Sequence, residues 1–403
     1  MLSTMFATYK RLLAATDFST HRFLYKTFDV SNRLTGIIGP RGTGKTTMLL
    51  QYIRNSMGDP DQCMYASLDN IYFSKNTLLD FVNELYDVYG IRYFFLDEIH
   101  KYPSWNQEIK NVYDSYPDVT VAFTGSSSID LQHGSFDLSR RCVLHRLPGL
   151  SFREYLLFRG AADVDPISLT EILHNHTAHE SQFARIDRLR GYFQEYLRHG
   201  YYPFFNEQIA VYNQKLFRII EKTIYEDIAN YYKLKTENLH YFKRILAFVA
   251  SIPPGELNRN SIAKTIGLDN KTVQTYLEIL QATGLASLVA TAKAGSGALK
   301  PTEKIFLDNP NMYHAIAAET GYALHTGSIR EIFFVTMLRN AGHHVHYSKT
   351  GDFIVGNTVF EIGGRNKTVK QIASSLDSAM LVKDDILYGT KYEIPLYLFG
   401  FLY

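Results

Sequence analysis

Gly39-Pro40-Arg41-Gly42-Thr43-Gly44-Lys45-Thr46-Thr47 decides the reading of this 403-residue chain. It fits G-x-x-x-x-G-K-[ST], with a short apolar run at 34–38 before it and a helical pattern at 48–53 after it. Strand, glycine-rich loop and helix in that order is the context in which the pattern cradles phosphates. The glycines let the backbone wrap the phosphates and aim several N–H groups inward. The helix N-terminus adds a favourable dipole. Lys45 brings a point charge to the β- and γ-phosphates, and Thr46 offers a hydroxyl to Mg²⁺. The expected nucleotide-binding residues are therefore all nine of the stretch, 39–47, and the expected ligands are ATP or ADP with Mg²⁺.

Working outward, the next informative stretch is Tyr93-Phe94-Phe95-Leu96-Asp97-Glu98. Four bulky apolar residues predict a buried strand, with two carboxylates at its C-terminal end. In open α/β sheets ligands bind at those ends. Asp97 is placed to hold Mg²⁺, directly or through water, and Glu98 to polarise an attacking water as general base. The plainer alternative is a solvated acidic turn. Further strands are expected at 63–68, 119–123 and 143–147, and helices at 1–30 and 78–89. Short apolar strands alternating with helices indicate a parallel sheet covered on both faces, so the fold class is α/β.

The pairing of GPRGTGKTT with FFLDEIHKYPSW resembles a prokaryotic branch of the AAA+ ATPases. The likeness continues through Asp97, Glu98, Ile99, Lys101, Pro103 and Trp105, the only tryptophan. Ser67-Leu68-Asp69 resembles the branch's second strand end, and Phe123-Thr124-Gly125-Ser126-Ser127-Ser128 its sensor-1 strand end. Leu150-Ser151-Phe152-Arg153-Glu154-Tyr155 is similar to the stretch that follows its last strand. The resemblance implies an AAA+ sheet order, hydrolysis coupled to conformational change, and a γ-phosphate-reading role for Thr124. It also implies a C-terminal helical, winged-helix and nuclease-like region. Where the branch has Gly-Arg before its last strand, this chain has Arg140-Arg141. Arg141 is then an arginine finger or a sensor arginine, or one of a surface pair. The expected catalytic set is Lys45, Glu98, Thr124 and Arg141, with Thr46 and Asp97 on the metal.

The expected domains are 1–150 for the phosphate-binding sheet, 151–235 for a helical lid, 236–310 for a winged helix and 325–403 for a small α/β nuclease-like domain. Residues 261–285 read as helix-turn-helix: Ile262, Ala263 and Ile266 line one helix, Gly267 ends it, and Asn270 is placed to cap the next. Lys271, Thr272, Gln274 and Thr275 face outward, and Lys293, Gly295, Gly297 and Lys300 would form a wing. Such a face suits a duplex DNA groove or a protein partner. In the last domain a helix is expected at 328–340, strands at 344–347, 353–355 and 358–362, a helix at 369–381 and a strand at 396–399. In element order it resembles the PD-(D/E)xK nuclease fold, and the resemblance makes Glu331, Asp352 and Glu361 metal-binding candidates. The lysine of E-x-K is missing, because Gly363 stands there. Lys367 or Arg365 would have to reach in, so the domain is expected to be degenerate.

Composition sets the outer bounds. Charged residues are 20% and the net charge is +2, so no global field favours nucleic acid or membrane. Cys63 and Cys142 are the only cysteines and lack metal spacing, which fits a reducing cytoplasm. Lys10 and Arg11 interrupt the N-terminal apolar stretch, which makes a poor signal peptide. No apolar run reaches the ~18 residues of a membrane span. A homo-oligomer is compatible with all of this.

Overall fold

The computed structural model describes residues 2–17, 19–125, 138, 140–292, 303–368 and 379–403. The chain divides into two compact units, Met1–Gly149 and Leu150–Tyr403.

The first unit is built on five strands: β1 (Leu34–Ile38), β2 (Cys63–Ser67), β3 (Tyr93–Asp97), β4 (Thr120–Gly125) and β5 (Val143–Arg146). They lie in the order β2-β3-β4-β1-β5, and every neighbouring pair is parallel. Helices α1 (Leu2–Ala15), α2 (Lys45–Ser56), α3 (Leu78–Tyr89) and α4 (Trp105–Ser115) accompany the sheet. Phe94, Phe95 and Leu96 are almost wholly buried, as a strand covered on both faces requires. Each such side chain contributes about 1.5–3 kcal/mol on leaving water. Gly36 keeps β1 close to its neighbours: a Cβ there would meet the Phe123 ring at 2.6 Å and Leu144 at 2.7 Å. Helix α3 starts where the Thr77 hydroxyl accepts the Asp80 amide, and it stops at Gly90, whose φ is 70°.

The order has one consequence for chemistry. Strand β4 lies between β1 and β3, so its last residues stand between the loop after β1 and the carboxylates after β3. Leu34 of β1 is paired with Val121, and Thr35 with Val143. Arg141 therefore precedes the N-terminal end of β5, whereas the glycine-rich loop follows the C-terminal end of β1.

The second unit begins with α5 (Phe152–Phe158), opened by a capping box in which Ser151 and Glu154 exchange side-chain and backbone hydrogen bonds. The Ser151 hydroxyl and the Arg153 guanidinium also donate to the Tyr403 carbonyl, at 2.7 and 2.9 Å. Helices α6 (Leu169–Phe183), α7 (Leu189–His199) and α8 (Tyr212–Lys222) follow. Their core is aromatic: Phe183 stacks on Phe401 at 4.0 Å, and Tyr155, Tyr196, Tyr202 and Tyr212 are fully buried. The tyrosine hydroxyls find partners there, as buried ones must; Tyr196 donates to the Leu150 carbonyl at 2.7 Å.

Next come α9 (Thr236–Ser251), α10 (Arg259–Ile266) and α11 (Asn270–Ala282), then the antiparallel pair β6 (Ala286–Ala290) and β7 (Glu303–Leu307). Gly267 ends α10 at φ 78°, as expected. The cap of α11 is Asp269 rather than Asn270, because Asp269 holds the extended conformation and accepts the Lys271 and Thr272 amides. Beyond α12 (Pro310–Thr320) and α13 (Thr326–Asn340) lies a second sheet, ordered β12-β11-β10-β9-β8. Its strands are β8 (Val345–Tyr347), β9 (Phe353–Val355), β10 (Thr358–Gly363), β11 (Ala379–Lys383) and β12 (Glu393–Pro395). Strands β8 to β10 run antiparallel in succession, and β10, β11 and β12 run parallel.

Two expectations are corrected here. The helix expected at 369–381 gives way to a strand at its end: 379–383 is β11, and 369–378 lie outside the described residues. A short apolar run such as Ala-Met-Leu-Val is ambiguous by periodicity, and parallel neighbours on both sides decide for strand. The strand expected at 396–399 is a buried 3₁₀ segment, Leu396–Phe401. Pairing ends at Pro395, which has no N–H to carry a ladder onward. No helix among the described residues is long and apolar enough to cross a membrane.

Candidate functional site

The loop after β1 takes its shape from its glycines. A Cβ on Gly39 would lie 2.1 Å from the Leu147 carbonyl oxygen, so no other residue fits. Gly42 and Gly44 have φ of 82° and 90°, in the left-handed region. The Thr43 hydroxyl donates to the Pro40 carbonyl at 3.0 Å and closes the turn. Helix α2 then starts at Lys45 with no side chain capping it, so its first amides face the loop. The Lys45 side chain is buried and folds back over the loop, donating to the Gly39 and Pro40 carbonyls at 2.9 and 2.8 Å. Arg41 and Thr46 are half-buried, and Thr47 points outward.

Asp97 is where the expected residues converge. Its Oδ2 accepts from the Thr46 hydroxyl at 2.7 Å and from the Tyr65 hydroxyl at 2.9 Å. Its Oδ1 accepts from the Thr124 hydroxyl. Burial, and then the Asp97 charge, push the Tyr65 hydroxyl far above its ordinary range, so Tyr65 stays a donor. Thr124 also receives the Glu98 amide on its hydroxyl oxygen, at 3.1 Å. Glu98 itself sits in the left-handed region with φ 52° and ψ 43°, a conformation that costs a non-glycine residue about 1–3 kcal/mol. Its carboxylate Oε2 lies 3.3 Å from His100 Nε2. Ser67, the end of β2, is in register beside Asp97, and the Leu68 amide donates to the Asp97 carbonyl at 2.9 Å.

Arg141 is elsewhere. Its guanidinium pairs with Asp114 of α4 at 3.2 Å and lies over the Tyr113 ring at 5.7 Å. Within one chain it stands at the strand end opposite the loop, so the structure does not bring it to Lys45, Asp97 or Glu98. The expected residues Ser126, Ser127 and Ser128 lie outside the described residues, as do Lys293, Gly295, Gly297 and Lys300.

Three groups of the first unit escaped sequence reasoning. Tyr65 carried no local signal, since only the pairing of β2 with β3 brings its hydroxyl to Asp97. His100 lay within the quoted acidic stretch with no role assigned. Arg22 carried none: its buried guanidinium donates to the carbonyls of Thr43, Pro148 (2.8 Å) and Gly149 (3.1 Å), pinning the glycine-rich loop from behind.

Two family models match parts of this chain. Residues 31–156 match the family model described as AAA domain. Residues 31–156 form an AAA domain. Residues 190–321 match a second model, described as a domain of unknown function, DUF8612. No curated protein matches the chain. Among solved structures, C. elegans PCH-2 is 17% identical, with 40% of this chain and 44% of that one covered and a TM-score of 0.24. AMPPCP-bound DnaA from Aquifex aeolicus is 16% identical, with 64% and 84% covered and a TM-score of 0.28. A chain from a structure on katanin self-assembly is 19% identical, with 49% and 73% covered and a TM-score of 0.25. The chain thus spans less than half the length of PCH-2, and likeness at this level says nothing of what it binds. The strand order and the Asp97 contacts of the AAA domain stand on their own.

The second unit holds the other expected cluster. Glu331 of α13 and Asp352 at the entry to β9 share one ammonium, Lys304 of β7, at 2.8 and 3.0 Å. Glu361 of β10 is held by Lys367 at 2.5 Å. Of the two residues considered for this role, Lys367 reaches back to Glu361, whereas Lys304 was missed. Among the described residues, no group of three or more His, Cys, Asp or Glu is arranged to hold a metal ion.

Proposed function

We propose that the AAA domain binds ATP with Mg²⁺ and hydrolyses it, coupling the nucleotide state to a conformational change exerted on a DNA or protein partner. One observation carries the reading: the loop hydroxyl of Thr46, the strand-end hydroxyl of Thr124 and the Tyr65 hydroxyl all meet on Asp97. A hydroxyl and a carboxylate in contact are the hard oxygen donors that Mg²⁺ takes, so the residues present fit the ion. Thr46 and Asp97 would hold it, and when bound it would neutralise charge on the β- and γ-phosphates. Lys45 releases the loop carbonyls and moves its ammonium to the phosphate oxygens. Glu98 orients and deprotonates the attacking water. Thr124 ties the Asp97 carboxylate to the Glu98 backbone amide, so a change at the γ-phosphate reaches both residues through one hydroxyl. His100 steadies the Glu98 carboxylate.

The helices α9 to α11 with the β6–β7 pair support a winged-helix reading of the middle of the chain. The exposed Lys271 at the start of α11 is the cation it offers to a duplex. Its other outward groups are already engaged locally, Thr272 by Asp269 and Gln274 by Glu278, which favours a modest, salt-sensitive contact. Arg141 suits a finger donated to a second copy rather than a sensor within its own chain, because the loop lies at the other end of the sheet. Two free thiols, Cys63 and Cys142, suit the cytoplasm. Phosphate release measured with and without duplex DNA tests the whole reading. Turnover that depends on Mg²⁺ and is lost in Lys45→Ala is the expected result, and no turnover under any condition would refute it.

A further inference from the structure

Glu331 of α13 and Asp352 at the entry to β9 meet on one ammonium, and Glu361 lies in β10 beside Ile362, whose amide donates to Asp352. Such a set resembles the metal site of a phosphodiesterase, but the surrounding residues do not fit a divalent ion. The Lys304 ammonium sits between the first two carboxylates, 2.8 Å from Glu331 Oε2 and 3.0 Å from Asp352 Oδ1. It is housed rather than passing through. Its side chain is only 8% exposed, and the rings of Tyr347 and Phe353 each lie 5.2 Å from Nζ. The other Asp352 oxygen accepts the Ile362 amide at 2.8 Å. Glu361 is taken by Lys367, whose stem crosses directly over Gly363: a Cβ there would lie 2.6 Å from Lys367 Cβ and Cγ. The glycine that removes the expected lysine is thus what lets Lys367 fold back. Three carboxylates face two ammonium groups, leaving little charge to recruit a divalent ion.

We propose that Lys304 is the resident cation of this cluster, standing where a divalent metal would, so that the β6–β7 pair is fastened to α13 and the second sheet by an ion pair instead of a metal. Burial is why the ammonium matters. Glu331 and Lys304 are both almost wholly buried, and a buried carboxylate without a partner is far more costly than one that is paired. The cluster binds no metal while Lys304 is present, and removing Lys304 opens it to one. The claim is independent of the nucleotide site.

The test uses the full chain with Fe²⁺ and ascorbate, which cut the backbone near a bound iron, and maps the cuts by mass spectrometry. Cuts around 39–47 and 97 are scored separately. In the wild type no cuts are expected around 331, 352 and 361. Lys304→Ala is expected to melt several degrees lower, to recover part of that loss in millimolar Mn²⁺, and to be cut at all three segments. Should Lys304→Ala not fold, Lys304→Gln keeps the length and one donor and carries the same readout. Cuts at the three segments in the wild type would overturn the proposal, as would a folded Lys304 variant that neither is cut there nor gains stability from Mn²⁺.

Discussion

The Thr124 hydroxyl joins the two acidic residues at the end of β3. It donates to the Asp97 carboxylate and accepts the Glu98 amide at 3.1 Å. It does so from the neighbouring strand, so the residues proposed to hold the metal and to activate water share one support that neither carries on its own strand.

Replacing that support should disturb both functions at once. Thr124→Val keeps the shape and removes the hydroxyl. We expect turnover to fall roughly 10²-fold, the order typical for a preorganised group at the reacting phosphate. The Mg²⁺ requirement should rise as well. Tyr65→Phe leaves Glu98 untouched and should raise the Mg²⁺ requirement alone. Titration of phosphate release against Mg²⁺ separates the two, and identical behaviour of both variants would contradict the shared role of Thr124.

Glu98→Gln should retain nucleotide and lose roughly 10²–10⁴-fold in turnover, as expected for removal of a general base. Lys45→Ala should lose nucleotide affinity as well. His100→Ala should lower the rate constant without changing ATP affinity, and it should add nothing to Glu98→Gln. An unchanged rate in Glu98→Gln would remove Glu98 from the mechanism.

The Arg141–Asp114 pair is partly exposed and is worth about 0–1 kcal/mol, weak enough for Arg141 to be lent to another copy. Specific activity should then rise with protein concentration, and Arg141→Ala should bind ATP without hydrolysing it. Mixing Arg141→Ala with Glu98→Gln should restore part of the rate. A concentration-independent rate with Arg141→Ala unaffected would make the pair a surface feature.

Duplex DNA binding should fall steeply with salt, because phosphate contacts release counterions. Lys271→Glu should weaken it across all sequences. If a low-salt titration shows no binding with or without ATP, α11 is a protein-contacting or lid element.

Acid should destabilise the second unit through His314. Burial, reinforced by Arg198 and His199, lowers its pKa from 6.5 to about 4. Between those values the unfolded chain binds a proton that the folded chain refuses, so stability falls as pH drops through that window. His314→Gln should flatten the melting temperature against pH between about 6.5 and 4. An unchanged slope would show that His314 is protonated in the fold.

What the sequence alone determined is what is local along the chain. The glycine-rich loop is specified by residues whose backbone freedom it needs, Gly39, Gly42 and Gly44, and by the lysine and threonine that follow. The buried strand ending in Asp97 and Glu98 declares itself by four apolar residues, and the Ser151–Glu154 capping box and the Gly267 helix end are likewise written in adjacent positions. Helix against strand at 379–383 was not legible, because a short apolar run suits either and only the parallel neighbours decide. The tertiary structure alone decided the contacts between residues far apart in sequence. Strand order brings Thr124 and Tyr65 to Asp97 from 27 and 32 residues away. It sets Arg141 at the far end of the sheet from the loop it was expected to serve. It also delivers Lys304 to Glu331 and Asp352 across 27 and 48 residues. No pattern in a single chain announces such a lysine, since what makes it a counter-ion is the cost of burying three carboxylates together, and that burial exists only once the sheet, the helix and the β6–β7 pair have closed around them.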